Sequence, residues 1–281
     1  MIFISKRLLT LLITIAFSSS FWGFQLSNTD STTVRKKQQF YLYWGYNRSA
    51  YTTSDIRMVG NGYDYTLYDV RAKDKPEEFD PKVYFNIAKI SIPQFNIRGG
   101  WAITDKLWLS GGYDHMKYVV RNDQTVKISG TIDSSASPQY AGTYNQNDIE
   151  IKSDFLAFEH TDGLNFISFD LDYVSPLWKS KNEKFRLEHL IGVSAGILFP
   201  RTDVIIFDKR GPNIWNLAGV GIAAKSQLRF YIYYHFFIEG VAKAGRINMP
   251  KIQTTGIEGE WAKQKFSFIE GFWAIGYRFS I

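Results

Sequence analysis

The sequence has no cysteine among its 281 residues, which excludes a disulfide scaffold and any thiolate-ligated metal centre. Proline is scarce at 8, the 22 glycines follow no period and no Ala/Glu/Lys/Leu block occurs, so collagen-like and coiled-coil architectures are excluded. The charge is modest, +6 from 33 Lys and Arg against 27 Asp and Glu. The densest basic cluster, Arg35-Lys36-Lys37, is too small to mark a nucleic-acid binder. Beyond residue 17 no apolar run reaches the roughly twenty residues that a membrane-spanning helix needs. The longest candidate, Phe230 to Ile238, is interrupted by His235 and followed by Glu239. Neither G-x-S-x-G nor H-E-x-x-H occurs, and no His-x-His pair suggests zinc. Gly60-Asn61-Gly62 is a turn signal without the Gly-Lys-Ser/Thr ending of a phosphate loop.

Aromatic side chains are abundant instead. The chain carries 22 Phe, 17 Tyr and 8 Trp at a mean hydropathy of only −0.20. So much apolar surface excludes disorder, and many rings without overall hydrophobicity fit a polar-lined barrel whose outer face meets lipid. The first residues support export. Lys6 and Arg7 precede the apolar run Leu8 to Phe17, and Ser18 to Ser20 follow, the order of a secretory signal. We assign residues 1–24 to a signal peptide, with cleavage expected between Ser20 and Ser27, residues 25–37 to a polar lead-in and 38–281 to the barrel.

Period-two alternation marks eight strand-length segments: Phe40–Asn47, Phe95–Ile103, Leu107–Asp114, Ile167–Tyr173, Leu187–Ile197, Ala218–Ala223, Phe230–Glu239 and Ile269–Ile281. The connections alternate between short (104–106, 179–184, 225–227) and long (52–88, 122–163, 203–213, 248–265). Transmembrane barrels show this asymmetry. The expected fold is therefore all-β, an antiparallel up-and-down transmembrane barrel of eight strands. Tyr63–Val70, Val83–Ile92, Thr125–Ile132 and Ile149–Phe158 are also strand-like, and are expected as hairpins above the membrane or as a rise in the count to ten or twelve.

The end of the chain, Tyr277-Arg278-Phe279-Ser280-Ile281, resembles the C-terminal signal by which bacterial outer-membrane barrels are recognised for insertion. Tyr277 and Phe279 hold its alternate aromatic positions, and Ile281 stands where Phe is usual. With the strand pattern, the chain is similar to small outer-membrane barrels of the OmpA-transmembrane, OmpX and OmpW type. That resemblance implies location in the bacterial outer membrane, contact with its lipid and lipopolysaccharide, and delivery by the barrel-assembly machinery.

The inward phase places Asn47, Asn96, Arg98, Asp114, Asp170, Asp172, Glu188, Glu239, Lys243 and Arg278 in the lumen, with Ser168 and Glu270. Buried charges there must pair, so a closed polar network is expected, and inward glycines leave room either for water or for large neighbouring rings. His115 beside Asp114, and His160 at an outer mouth, are the residues a lipid-modifying enzyme of this architecture would use as a base. His189 is expected at the interface and His235 in the lumen. The acidic stretches 75–80 and 148–154 are candidates for bridging cations. No catalytic or metal site and no cofactor is assigned. The leading expectation is a non-enzymatic anchor for surface loops that contact an envelope or extracellular protein, with a narrow solute channel and a lipid-modifying enzyme as alternatives.

Overall fold

A computed structural model describes residues 38–78, 80–84, 86, 88–89 and 92–281; the expected signal peptide and the lead-in lie outside them. The first strands are β1 (Gln39–Tyr51), β2 (Ser54–Gly60), β3 (Tyr63–Val70) and the short β4 (Ala72–Lys73). Next come β5 (Phe95–Ala102), β6 (Leu107–Val120), β7 (Gln124–Ile132), β8 (Gly142–Ile151) and β9 (Leu156–Lys179). The last are β10 (Phe185–Leu198), β11 (Arg201–Ile206), β12 (Lys209–Arg210), β13 (Ile214–Trp215), β14 (Gly219–Ile232), β15 (Phe236–Gln253) and β16 (Trp261–Ser280).

Eight of them form a ring in the order β1, β5, β6, β9, β10, β14, β15, β16, each antiparallel to the next. β16 closes it by pairing with β1 from Gln39–Ser280 to Tyr51–Phe268. The ring has the expected number of strands, eight, and the additional strands build a head at one end. There β2 pairs with β16 (Trp261–Val59 to Gln264–Ile56), followed outward by β3, β7 and β8. β11 lies on the start of β9. The other end of the ring carries short turns and the terminus of β16.

Period two explains the ring. On β9, Ile167, Phe169, Leu171 and Tyr173 are exposed while Ser168, Asp170 and Asp172 are buried. The same split runs through Leu42, Trp101, Val193, Ile222, Trp273 and Ile275, all exposed. Such a belt of bare apolar side chains has no stable contact with water. No helix among the described residues is long and apolar enough to cross a membrane, and the backbone hydrogen bonds of the belt close within the ring, as a bilayer demands. The chain spans the membrane with its strands. Closed antiparallel barrels with an apolar belt are the outer-membrane type of integral protein, and this chain has that architecture.

Three expectations need correction. The sequence reading breaks β14 at 225–227 and runs a strand through Phe230–Glu239, whereas the turn is at 233–235, with Tyr233 and Tyr234 at φ 51 and 70. Pairs across it, such as Phe230–Ile238 and Tyr231–Phe237, are an even number of residues apart, so the alternation continues through the turn and hides it. Val83–Ile92 is no strand: its described residues leave a short helix, Pro81–Tyr84, for turns. Ile149–Phe158 is broken at 152–155, where the Phe155 and Leu156 amides donate to the Lys152 carbonyl.

Candidate functional site

The lumen is the place where the sequence concentrates chemistry, and it is filled at three levels. At the turn end, Tyr41, Tyr43, Trp108, Leu190, Tyr231 and Phe237 belong to one buried cluster. Tyr41 packs on Trp108 with ring centroids 5.4 Å apart and Tyr231 on Phe237 at 5.5 Å. The Arg229 guanidinium lies 4.4 Å from the centroids of both Tyr41 and Phe237. Glycines make this possible. A Cβ at Gly276 would fall 2.1 Å from the Phe237 ring, and one at Gly100 would fall 2.5 Å from Tyr41. The room that inward glycines leave here is taken by rings.

The middle level is ionic. Arg98 bridges Asp170 at 2.8 Å and Asp114 at 3.5 Å. Lys225 reaches Asp170 at 2.7 Å and Asp172 at 3.0 Å. Lys243 pairs with Asp114, and Arg229 with Glu239. Neutral groups extend the network: the Asn96 amide donates to Asp114 (2.8 Å) and Glu270 (2.9 Å), Asn47 donates to Asn96 (2.8 Å), and Gln227 donates to Asp172 (2.9 Å). Burying an ion without a partner is very costly, and here each of these cations faces at least one carboxylate. Glu188 and Arg278 sit lower, 3.9 Å apart at the turn-end mouth, with Arg278 also 4.4 Å over the Tyr231 ring.

The third level is the head. Its core joins Ile56, Tyr65, Ile128, Phe155, Phe158, Phe166, Ile247, Met249 and Phe268 in one buried cluster. The Gly60-Asn61-Gly62 signal becomes the β2–β3 turn, with Gly62 at φ +77. Thr125–Ile132 lies within β7.

Of the twelve residues named for the lumen, Glu188 and Arg278 lie at its mouth and the other ten are buried. Three members of the network, Lys225, Gln227 and Arg229, were missed, because a polar stretch was read as a turn. The signal that finds them is phase: extending the alternation from Val220 and Ile222 through Leu228 and Phe230 puts all three inward.

The histidines are placed differently from expectation. His160 is fully buried in the head, not at an open mouth; its Nδ1 shares a 3.2 Å hydrogen bond with the Thr202 hydroxyl, and burial brings its pKa down to about 3. His115 points away from Asp114, stacks on Phe95 at 5.2 Å and has Nδ1 2.8 Å from the Asn165 side-chain Oδ1. The polar partners of both rings are thus an amide and a hydroxyl, where a general base of the His–carboxylate kind would have an acid. His235 is exposed in the 233–235 turn, its Nδ1 2.8 Å from the Arg278 carbonyl, and does not enter the lumen. His189 lies half-buried on the outer face, 2.9 Å from the Ser226 hydroxyl. Asp148 pairs with Lys127 and Glu150 with Lys152. Tyr277, Phe279 and Ile281 are exposed at the turn end of the outer wall, with Phe279 stacked on Phe40 at 6.2 Å.

No protein-family model matches the chain, and no curated protein sequence matches it. Among solved structures, it is similar to Ail, the attachment invasion locus protein of Yersinia pestis, at 11% identity over 86% of this chain and 99% of that one, with a TM-score of 0.33. It is similar to the outer membrane protein OprG from Pseudomonas aeruginosa at 11% identity over 88% and 98%, TM-score 0.39. It is also similar to the outer membrane protease OmpT from Escherichia coli at 10% identity over 91% and 100%, TM-score 0.28.

Proposed function

We propose that this protein is a closed, non-enzymatic outer-membrane anchor that presents a folded β-structured head at the cell surface for envelope architecture or contact with an external protein. The observation that carries this reading is the filled lumen: aromatic cluster, ion network and head core follow one another along the axis, with the glycine-made space occupied by Tyr41 and Phe237. A ring of eight strands has an interior just wide enough for its own side chains. The head supplies a contact surface of its own. Among the described residues β8 is the last strand of its sheet, pairs only with β7 and is exposed along nearly its whole length, and a free edge of this kind accepts an added strand. In this reading Tyr277, Phe279 and Ile281 serve insertion by the assembly machinery. Planar-bilayer recording of the refolded full chain, with a heat-dependent gel shift as proof of folding, tests the proposal. Folded protein with a silent bilayer is the expected result; discrete conductance steps overturn it in favour of a solute channel.

A further inference from the structure

The outer wall carries a recess of about 1180 Å³ at the boundary between belt and head. Its lining is mostly outward-facing, with Phe169, Val193 and Ile222 on one side and Arg246, Lys263 and Lys265 on the other. A single row of the hydrogen-bond ladder joins the two sides: Phe169 pairs with Ala195, Ala195 with Ile222, Ile222 with Arg246 and Arg246 with Ser267. Barrel strands tilt by about 40°, so a row perpendicular to them climbs relative to the membrane plane. This row starts on a phenylalanine that is 70% exposed and ends on a cation and a hydroxyl. The recess therefore crosses the surface of the hydrocarbon.

Its charge is one-sided. Arg246, Lys263 and Lys265 are exposed and none of them forms an ion pair among the described residues. The fourth cation, Arg57 on the overhanging β2–β3 hairpin, is held by Asp64 at 2.6 Å. Of the two acids in the lining, Asp170 faces inward and pairs with Arg98 and Lys225, and Asp55 at the rim accepts the Asp69 amide at 3.0 Å. Three cations immediately above bare apolar wall match a molecule with acyl chains below and phosphate above.

We propose that this recess seats a phosphorylated glycolipid of the outer leaflet, its chains along Phe169, Val193 and Ile222 and its phosphates between Arg246, Lys263 and Lys265. A zwitterionic phospholipid would bring an ammonium into a site that already holds three cations. A phosphorylated sugar brings anions, and hydroxyls within reach of Thr66 and Ser267, which also line the recess. The proposal rests on the membrane-embedded reading of the barrel but not on the closed lumen.

The test is native mass spectrometry of the full chain in a non-ionic detergent, titrated with bis-phosphorylated lipid A, with the same lipid after removal of its phosphates, and with inorganic phosphate. The bis-phosphorylated lipid is expected to stay bound, and the combined variant Arg246→Ala, Lys263→Ala, Lys265→Ala to weaken it at least about tenfold. A control removing three cations elsewhere on the head, Lys127→Ala, Lys152→Ala, Lys209→Ala, is expected to bind as the parent does. Equal binding by the first variant, equal binding of the dephosphorylated lipid, or competition by inorganic phosphate at matching affinity each overturns the lipid site. A heat-dependent gel shift is read on every sample. Its presence without lipid discrimination removes this proposal and leaves the barrel, whereas its absence in the parent removes both.

Discussion

Strand β15 passes through two regions built on opposite plans. Along its turn-end half the inner face carries Glu239 and Lys243 and the outer face Phe236 and Ile238; towards the head the inner face carries Ile247, Met249 and Ile252 and the outer face Arg246 and Asn248. β16 makes the same change, from Glu270 inside and Trp273 outside to Phe266 inside and Lys263 and Lys265 outside. The backbone and its pairing run on from one half to the other, with one register shift between Met249 and Ile252 near the head end, so the difference lies in the medium outside. In the head, water surrounds the wall and the apolar groups gain by leaving it. In the belt, lipid surrounds the wall, the interior is the only refuge for polar groups, and it is held by hydrogen bonds and ion pairs. Burial alone says little about how a region is stabilised; what lies on the far side of the wall decides which residues belong inside.

The sharpest way to break the contrast is to remove a cation from each side of the wall. Arg98→Met, which leaves Asp170 and Asp114 each short of a partner, is expected to cost about 3–5 kcal/mol in the reversible unfolding of the barrel. Arg246→Met on the outer face is expected to cost no more than about 0.5 kcal/mol. Placing charge on the belt follows: Leu171→Arg is expected to cost about 2–4 kcal/mol, measured by urea unfolding in lipid vesicles with tryptophan fluorescence. The smallest effect is a pH dependence that separates a dry head core from the ionic lumen. His160 titrates near 6.5 in the unfolded chain and is held down to about 3 when folded, so the unfolded chain takes up the proton first. Its contribution is complete above pH 6.5, declines as the pH falls and levels off below about 3, a loss of about 2 kcal/mol by pH 5. Parent minus His160→Phe unfolding curves across that range are expected to show this slope; parallel curves would place water beside the ring.

Much of this architecture was legible because a strand's faces follow from simple alternation. Leu107–Asp114 and Ile167–Tyr173 lie within β6 and β9, as parity alone predicts, and Arg98, Asp170 and Lys243 are buried. What parity does not see is a turn that preserves it, which is why Tyr233–His235 passed as mid-strand. Nor does it tell a polar residue in a lumen from one in a loop, which is why Lys225, Gln227 and Arg229 were lost. Which rings take the space beside the inward glycines was not legible either, since Tyr41 over Gly100, or Phe237 over Gly276, depends on contacts between strands far apart in the chain. His160 is the clearest case: the acidic and polar Glu159-His160-Thr161-Asp162 reads as the outer mouth of a strand, yet as part of β9 it turns its imidazole into the head core.

The seam between β1 and β16 carries a consequence for timing. Its partners, from Gln39–Ser280 to Tyr51–Phe268, are separated by more of the sequence than any other pairing in the ring. Local hairpins such as β14–β15 can form early, because short closures cost little entropy. The seam waits until residues 268–280 have been delivered, and until then the assembly is a curved sheet with two bare edges, each open to pairing with another chain. Transit to the membrane is thus the interval of greatest exposure for this protein, and the final dozen residues are what end it.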